Sequence, residues 1–120
     1  MNVAILGASN KPERYSNQAV RLLAEKGHAV FPVHPALAEI DGHRVFKSLA
    51  DIPEPVDTVT MYVSPAHSTG MAGAILASNP RRVLFNPGTE NPELEEKLAA
   101  AGIETVRACT LVMLRTGQFG

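Results

Sequence analysis

The chain opens on a short run, MNVAIL, that is apolar apart from Asn2 and ends at Gly7. A run that short, without polar alternation, fits a strand buried on both faces, as in a parallel sheet. From about Ser16 to Lys26 the period changes. Ala19, Val20, Leu22 and Leu23 gather on one helical side, and Gly27 follows where a helix commonly ends in a left-handed residue. His28–Val33 (HAVFPV) predicts a second strand, irregular near Pro32, which lacks a ladder donor, and broken at Pro35. Ile40 to Pro55 has no clear period. It predicts a turn at Asp41-Gly42, an extended piece at Arg44–Phe46 and one helical turn around Ser48–Asp51. Val56–Val63 (VDTVTMYV) is β-branched and apolar and predicts a strand; Pro65 starts a helix that Asn79-Pro80 ends. Arg82–Phe85 predicts another strand. Asn91-Pro92-Glu93 then supplies a cap, a first-turn proline and an acidic residue at the positive helix end. That helix runs to about Ala101 and stops at Gly102; Ile103–Val106 is a last short strand, and Thr110 caps a terminal turn, LVMLR.

Strands alternating with helices through short connections, without repeats or linkers, predict a three-layer α/β domain over residues 1–120, with a mainly parallel sheet and a Rossmann-like architecture. In such sheets ligands sit at the carboxyl ends of the strands, where the strand order reverses. The segments that matter are therefore Gly7–Ser16, His34-Pro35, Ser64-Pro65, Asn86–Thr89 and Ala108–Thr110.

Composition narrows the function. At 120 residues and 45% hydrophobic content the chain carries enough apolar material for one core, which excludes disorder. Eleven Lys and Arg against twelve Asp and Glu give a net charge of −1, aromatics are 5%, and Trp is absent, so nothing marks a nucleic-acid module. One cysteine, Cys109, and four scattered histidines offer no intrachain disulfide and no structural-zinc spacing. The apolar N-terminal run is too short for a signal peptide and lacks a basic lead-in, which predicts a cytoplasmic protein. Thr58 to Pro80 carries no Asp, Glu, Lys or Arg, but Ser64, Pro65, His67, Ser68, Thr69, Ser78 and Asn79 interrupt it. It predicts a buried strand running into a buried helix, not a membrane span.

The first loop, GASNKPERYSN, sets a glycine where the backbone turns, a hydroxyl at Ser9 and cations at Lys11 and Arg14 beside a helix start. Those groups suit a phosphate-bearing ligand. A dinucleotide fingerprint would need two further glycines here, and an acidic residue at the end of the second strand; this chain has only Gly7, and Val33-His34-Pro35.

Taken in order, GASNKPERYSNQAVRLL, FPVHP, IDGHRVFKSLADIP, VDTVTMYVSPAH, VLFNPGTEN and a late cysteine resemble the small stand-alone CoA-binding proteins. That family is similar to the N-terminal CoA-binding domain of the succinyl-CoA synthetase alpha subunit, and the likeness spans nearly the whole chain. The resemblance implies coenzyme A, or an acyl-CoA, lying across the strand ends. By position it implies Gly7, Ala8, Ser9, Lys11, Arg14 and Tyr15 along the phosphates and adenosine. It places His34-Pro35 beside the adenine, Val63, Ser64 and Pro65 along the middle, and Phe85, Asn86 and Pro87 at the far wall.

No Ser/His/Asp order, metal set or nucleophile elbow points to catalysis, and the synthetase's phosphorylated histidine lies in a further domain. A CoA-binding protein without chemistry of its own is the leading reading. The alternatives are an NAD(P)-binding oxidoreductase and a partner-binding subunit with a vestigial pocket. His28, His43 and His67 have no clustered partner and read as exposed or satisfied residues. Met61, Met71 and Met113 read as core, and Glu90, Glu93, Glu95 and Glu96 as a solvated helix start. Cys109 follows the last strand on the ligand edge, where a thiol role competes with plain core filling.

Overall fold

The apolar runs become five strands of one sheet in the computed structural model, which describes residues 1–120. They are β1 (Asn2–Leu6), β2 (Ala29–Val33), β5 (Thr58–Met61), β6 (Arg82–Phe85) and β7 (Glu104–Arg107), in the order β2-β1-β5-β6-β7. Every pairing is parallel, with Leu6 beside both Val33 and Met61, and Met61 beside Phe85. This is the Rossmann-like α/β fold that the alternation predicts. The chain moves from β1 outward to β2, then crosses back to β5 on the other side, so the order reverses between β1 and β5.

The alternation of side chains across each strand divides the core in two. Val3 and Ile5 pack with Ala19, Val20 and Leu23 of α1 (Tyr15–Glu25) and with Leu111 and Leu114 of α5 (Thr110–Arg115). Ala4, Leu6, Val59, Met61, Val83 and Phe85 point to the other face. There they meet Ile75 of α3 (Ala72–Ser78) and Leu94 and Leu98 of α4 (Pro92–Ala100). Strand residues apolar on both faces can be buried only between two helical layers, and Val3, Ala4 and Ile5 are wholly buried.

Local chemistry sets several boundaries as expected. Asn91 caps α4, its side chain accepting from Leu94 N, while the Glu95 carboxylate accepts from Asn91 N. Pro32 sits on the edge strand, where its missing donor costs nothing to a neighbour, and its carbonyl accepts from Phe46 N.

The turn at Asp41-Gly42 is present, and two other expectations are corrected. Asp41-Gly42 is more than a turn: with φ of 48° and 82° it closes an antiparallel hairpin of β3 (Glu39–Ile40) and β4 (His43–Arg44), strands too short to show alternation. The helix starting at Pro65 is not one buried helix. It breaks into α2 (Pro65–Ser68), a tight turn at Thr69–Met71 and α3, where only Ile75 is buried. Hydroxyls of Ser68 and Thr69 donate to Pro65 O and Gly70 and Gly73 add no side chains, so the segment has little to continue the helix. Thr110 is the first residue of α5 and Cys109 its N-cap; the Thr110 hydroxyl is taken by Thr60 instead. No helix is long and apolar enough to cross a membrane.

Candidate functional site

A cleft of about 630 Å³ opens at the carboxyl ends of β2, β1 and β5, where the strand order reverses. Its floor is the turn after β1. Gly7 has φ +84°, and a Cβ there would stand 2.6 Å from the carbonyl oxygen of Tyr62. The backbone can pass only because the residue is glycine. Ala8 N then donates to Val33 O at 3.2 Å and Tyr62 N to Leu6 O at 2.8 Å, so the loop leaves the sheet held between both neighbouring strands.

The rest of the loop is braced from α1. Buried Asn17 donates to Ser9 O and to the Asp41 carboxylate, both at 2.8 Å, and accepts from Arg21 Nε at 2.8 Å; Arg21 also donates to Pro12 O. Arg21 is thereby a brace. Lys11 and Arg14 are different: the four ion pairs, Arg81–Asp57, Arg81–Glu104, Lys97–Glu93 and Arg107–Glu95, all lie elsewhere, leaving these two cations unpaired on the cleft. The helix behind them begins without a side-chain cap or an acidic first turn. Unpaired cations and uncapped first-turn N–H groups together favour an anion. Tyr15 is 70% exposed at the cleft's edge.

Across the cleft, His34 Nδ1 accepts from Ala36 N and Leu37 N at 3.0 and 3.1 Å, which places the neutral ring's proton on Nε2. His34 therefore offers the cleft a donor, the opposite of the carboxylate that holds a nicotinamide ribose. Pro35 and Val63 complete this wall. Ser64 and Pro65 begin α2 just beyond it, with Ser64 Oγ 2.9 Å from His67 Nδ1.

Two smaller cavities, each about 280 Å³, adjoin the cleft. One shares Gly7, Pro35 and Val63 with it and is otherwise mainly apolar, with Leu6, Val33, Leu49 and Met71. The other shares Tyr15 and Tyr62 and continues to Asn86, Pro87, Cys109 and α5.

The structure thus brings Gly7, Ala8, Ser9, Lys11, Arg14, Tyr15, His34, Pro35 and Val63 around one space. The far-wall residues stand apart from it. Phe85 is wholly buried in the core on the α3/α4 face, so its side chain does not reach the cleft. Buried Asn86 donates to Thr60 Oγ1 and Met61 O and accepts from Thr110 N, all within 2.8 Å, tying β5 and β6 to the start of α5. Of the three far-wall residues, Asn86 and Pro87 border the second small cavity and Phe85 does not.

Sequence reasoning missed Tyr62 and His67. Tyr62 follows β5 directly and lines both the cleft and the second cavity; burial pushes its pKa up to about 12, and its hydroxyl has no hydrogen-bond partner. His67 lines the cleft from the first turn of α2, a position signalled only by its spacing from Ser64. Met61 is core, as expected; Met71 and Met113 are half-buried against it, and Cys109 is half-buried beside the second cavity.

The fold and this cleft define a nucleotide-type binding domain, and comparison with known proteins specifies which. A sequence profile described as a CoA binding domain matches residues 1–115, so the chain belongs to that family of CoA-binding domains. It is 26% identical over 100 residues to the uncharacterized protein YneT of Bacillus subtilis, spanning 83% of this chain and 74% of that one. Over 62 residues, 51% of this chain and 14% of the other, it is 34% identical to the alpha subunit of the ADP-forming acetate–CoA ligase II of Pyrococcus furiosus. Among solved structures, a protein of Thermus thermophilus superposes with a TM-score of 0.91 at 32% identity, covering 98% of this chain and 90% of its own. A crystal structure of an uncharacterized protein superposes with a TM-score of 0.92 at 43% identity, covering 98% and 97%.

Proposed function

We propose that this protein binds coenzyme A or an acyl-CoA across the ends of β2, β1 and β5, and performs no chemistry of its own. The observation that carries the reading is the pair of unpaired cations, Lys11 and Arg14, at an uncapped helix start between two largely apolar cavities. Coenzyme A has that layout: phosphates in the middle, a purine at one end and a pantetheine arm at the other. Gly7, Ala8, Ser9, Lys11 and Arg14 take the phosphates, Pro35 and His34 lie against the adenine, and Val63 with Ser64-Pro65 guides the arm toward Tyr62 and Pro87. Membership of the CoA-binding domain family supports the ligand class.

An NAD(P)-dependent oxidoreductase fits less well, because the first loop has one glycine and the second strand ends in a donor instead of a carboxylate. Calorimetric titration of one sample with CoA, acetyl-CoA, NAD and NADP tests the reading: CoA or acetyl-CoA binds and the nicotinamides do not. Tighter binding of NAD than of CoA would refute it. For the absence of chemistry, incubation with acid, CoA and labelled ATP should leave His28, His34, His43 and His67 unlabelled and form no thioester.

A further inference from the structure

Large apolar side chains are exposed at four places, and the two most exposed, Tyr15 at 70% and Val112 at 53%, flank one cavity. The rest of its lining is Tyr62, Pro87, Leu111, which is 3% exposed, half-buried Cys109 and two polar residues, buried Asn86 and exposed Arg115. It shares Tyr15 and Tyr62 with the cleft and none of His34, Pro35 or Val63, so it adjoins the side of the cleft away from Pro35. Such a surface in water is costly to leave bare. Free coenzyme A ends in a thiol, so beyond the sulfur it brings no apolar group to Leu111 and Val112, whereas an acyl-CoA does.

We infer that this cavity between Tyr15, Tyr62, Pro87 and α5 receives the aliphatic acyl group of an acyl-CoA, so that the natural ligand is a short- to medium-chain thioester. The inference rests on the CoA reading above and adds to it the identity of the far end. A ligand lying with its adenine at Pro35 and its phosphates at Lys11 and Arg14 runs its pantetheine arm past Val63 to Tyr62. The first group beyond the sulfur then meets Leu111 and Val112. A cavity of about 280 Å³ is finite, so the gain with chain length ends once it is filled.

The test is calorimetric titration of the full chain with CoA, acetyl-CoA, butyryl-CoA, hexanoyl-CoA and palmitoyl-CoA. Early members should bind roughly fourfold tighter for each added methylene, with the gain lost by the longest chain. In Val112→Trp, where the indole occupies the cavity, the ratio of hexanoyl-CoA to CoA affinity should fall to near one. Leu76→Trp, at the exposed position on α3, should keep the wild-type ratio. Val112→Asp, which leaves space but removes the apolar wall, guards against a misfolded Trp variant, and thermal melts confirm that each is folded. CoA binding with a flat series, or a Val112→Trp protein that keeps the slope, overturns the acyl cavity while leaving the CoA reading in place. Failure of CoA and every thioester to bind overturns both.

Discussion

Replacing Gly7 with alanine probes the point where the loop, the sheet and the cleft meet. Gly7 is in the left-handed region at φ +84°, and so is Gly102 at φ +83°. For an L residue that conformation costs about 1–2 kcal/mol at either site. The sites differ in what a Cβ would touch. At Gly102 nothing lies within 4 Å, whereas at Gly7 the new atom would sit 2.6 Å from Tyr62 O and 2.9 Å from Tyr62 C, both rigid backbone of the residue leaving β5. Either the loop or the end of β5 must move, an overpacking cost of about 1–3 kcal/mol beyond the strain. Gly102→Ala should therefore lose about 1–2 kcal/mol and Gly7→Ala about 2–5 kcal/mol. With a urea m-value of about 1.5 kcal/mol/M, a loss of 3 kcal/mol moves the unfolding midpoint by about 2 M. Because the displaced atoms also form the cleft floor, Gly7→Ala should weaken CoA at least tenfold under conditions where it remains folded, and Gly102→Ala should leave CoA binding alone. Equal midpoints for the two variants would show that the close approach to Tyr62 carries no energetic weight. Unchanged CoA affinity in folded Gly7→Ala would detach the cleft floor from binding.

Arg14→Ala should weaken CoA about tenfold, the size of one charge-assisted contact, with less effect on pantetheine and a smaller difference at high salt; equal losses for both ligands would assign Arg14 to the fold instead. Asn86→Ala leaves buried Thr110 N without its acceptor and takes the amide donor from Thr60 Oγ1 and Met61 O, and should lower Tm by about 10 °C in calorimetry, from a loss of about 2–3 kcal/mol. The His28 pKa is held below its ordinary 6.5 by burial first, then by the Met1 ammonium and Arg82. The unfolded chain therefore binds the proton more readily, so this group's contribution to stability should rise as pH climbs toward about 6.5, and urea midpoints of His28→Gln measured from pH 5 to 7 should rise less steeply than those of the wild type.

The elements with locally written signals were legible in the chain itself. Runs apolar on both faces announced the parallel strands, because only burial between two layers accommodates them. Asn91 with Pro92 set the start of α4 and Gly27 and Gly102 lie at the ends of α1 and α4, since capping is chemistry among near neighbours in sequence. The loop proposed for the phosphates was legible for the same reason: Ser9, Lys11 and Arg14 lie close together in the chain beside a helix start. What tertiary structure decided was which face each residue turned to and what stood opposite. Phe85 and Asn86 are adjacent in sequence, yet one belongs to the core and the other pins β5 to α5 through partners about 25 residues away on either side. The close approach of Gly7 to Tyr62, the Asn17–Asp41 brace and the cavity beside Val112 arise likewise from pairings across the sheet and between layers. Periodicity reports how often a side chain returns to one side of its own element. It carries no record of the distance to an atom on another, and the width, charge and reach of the cleft depend on those distances.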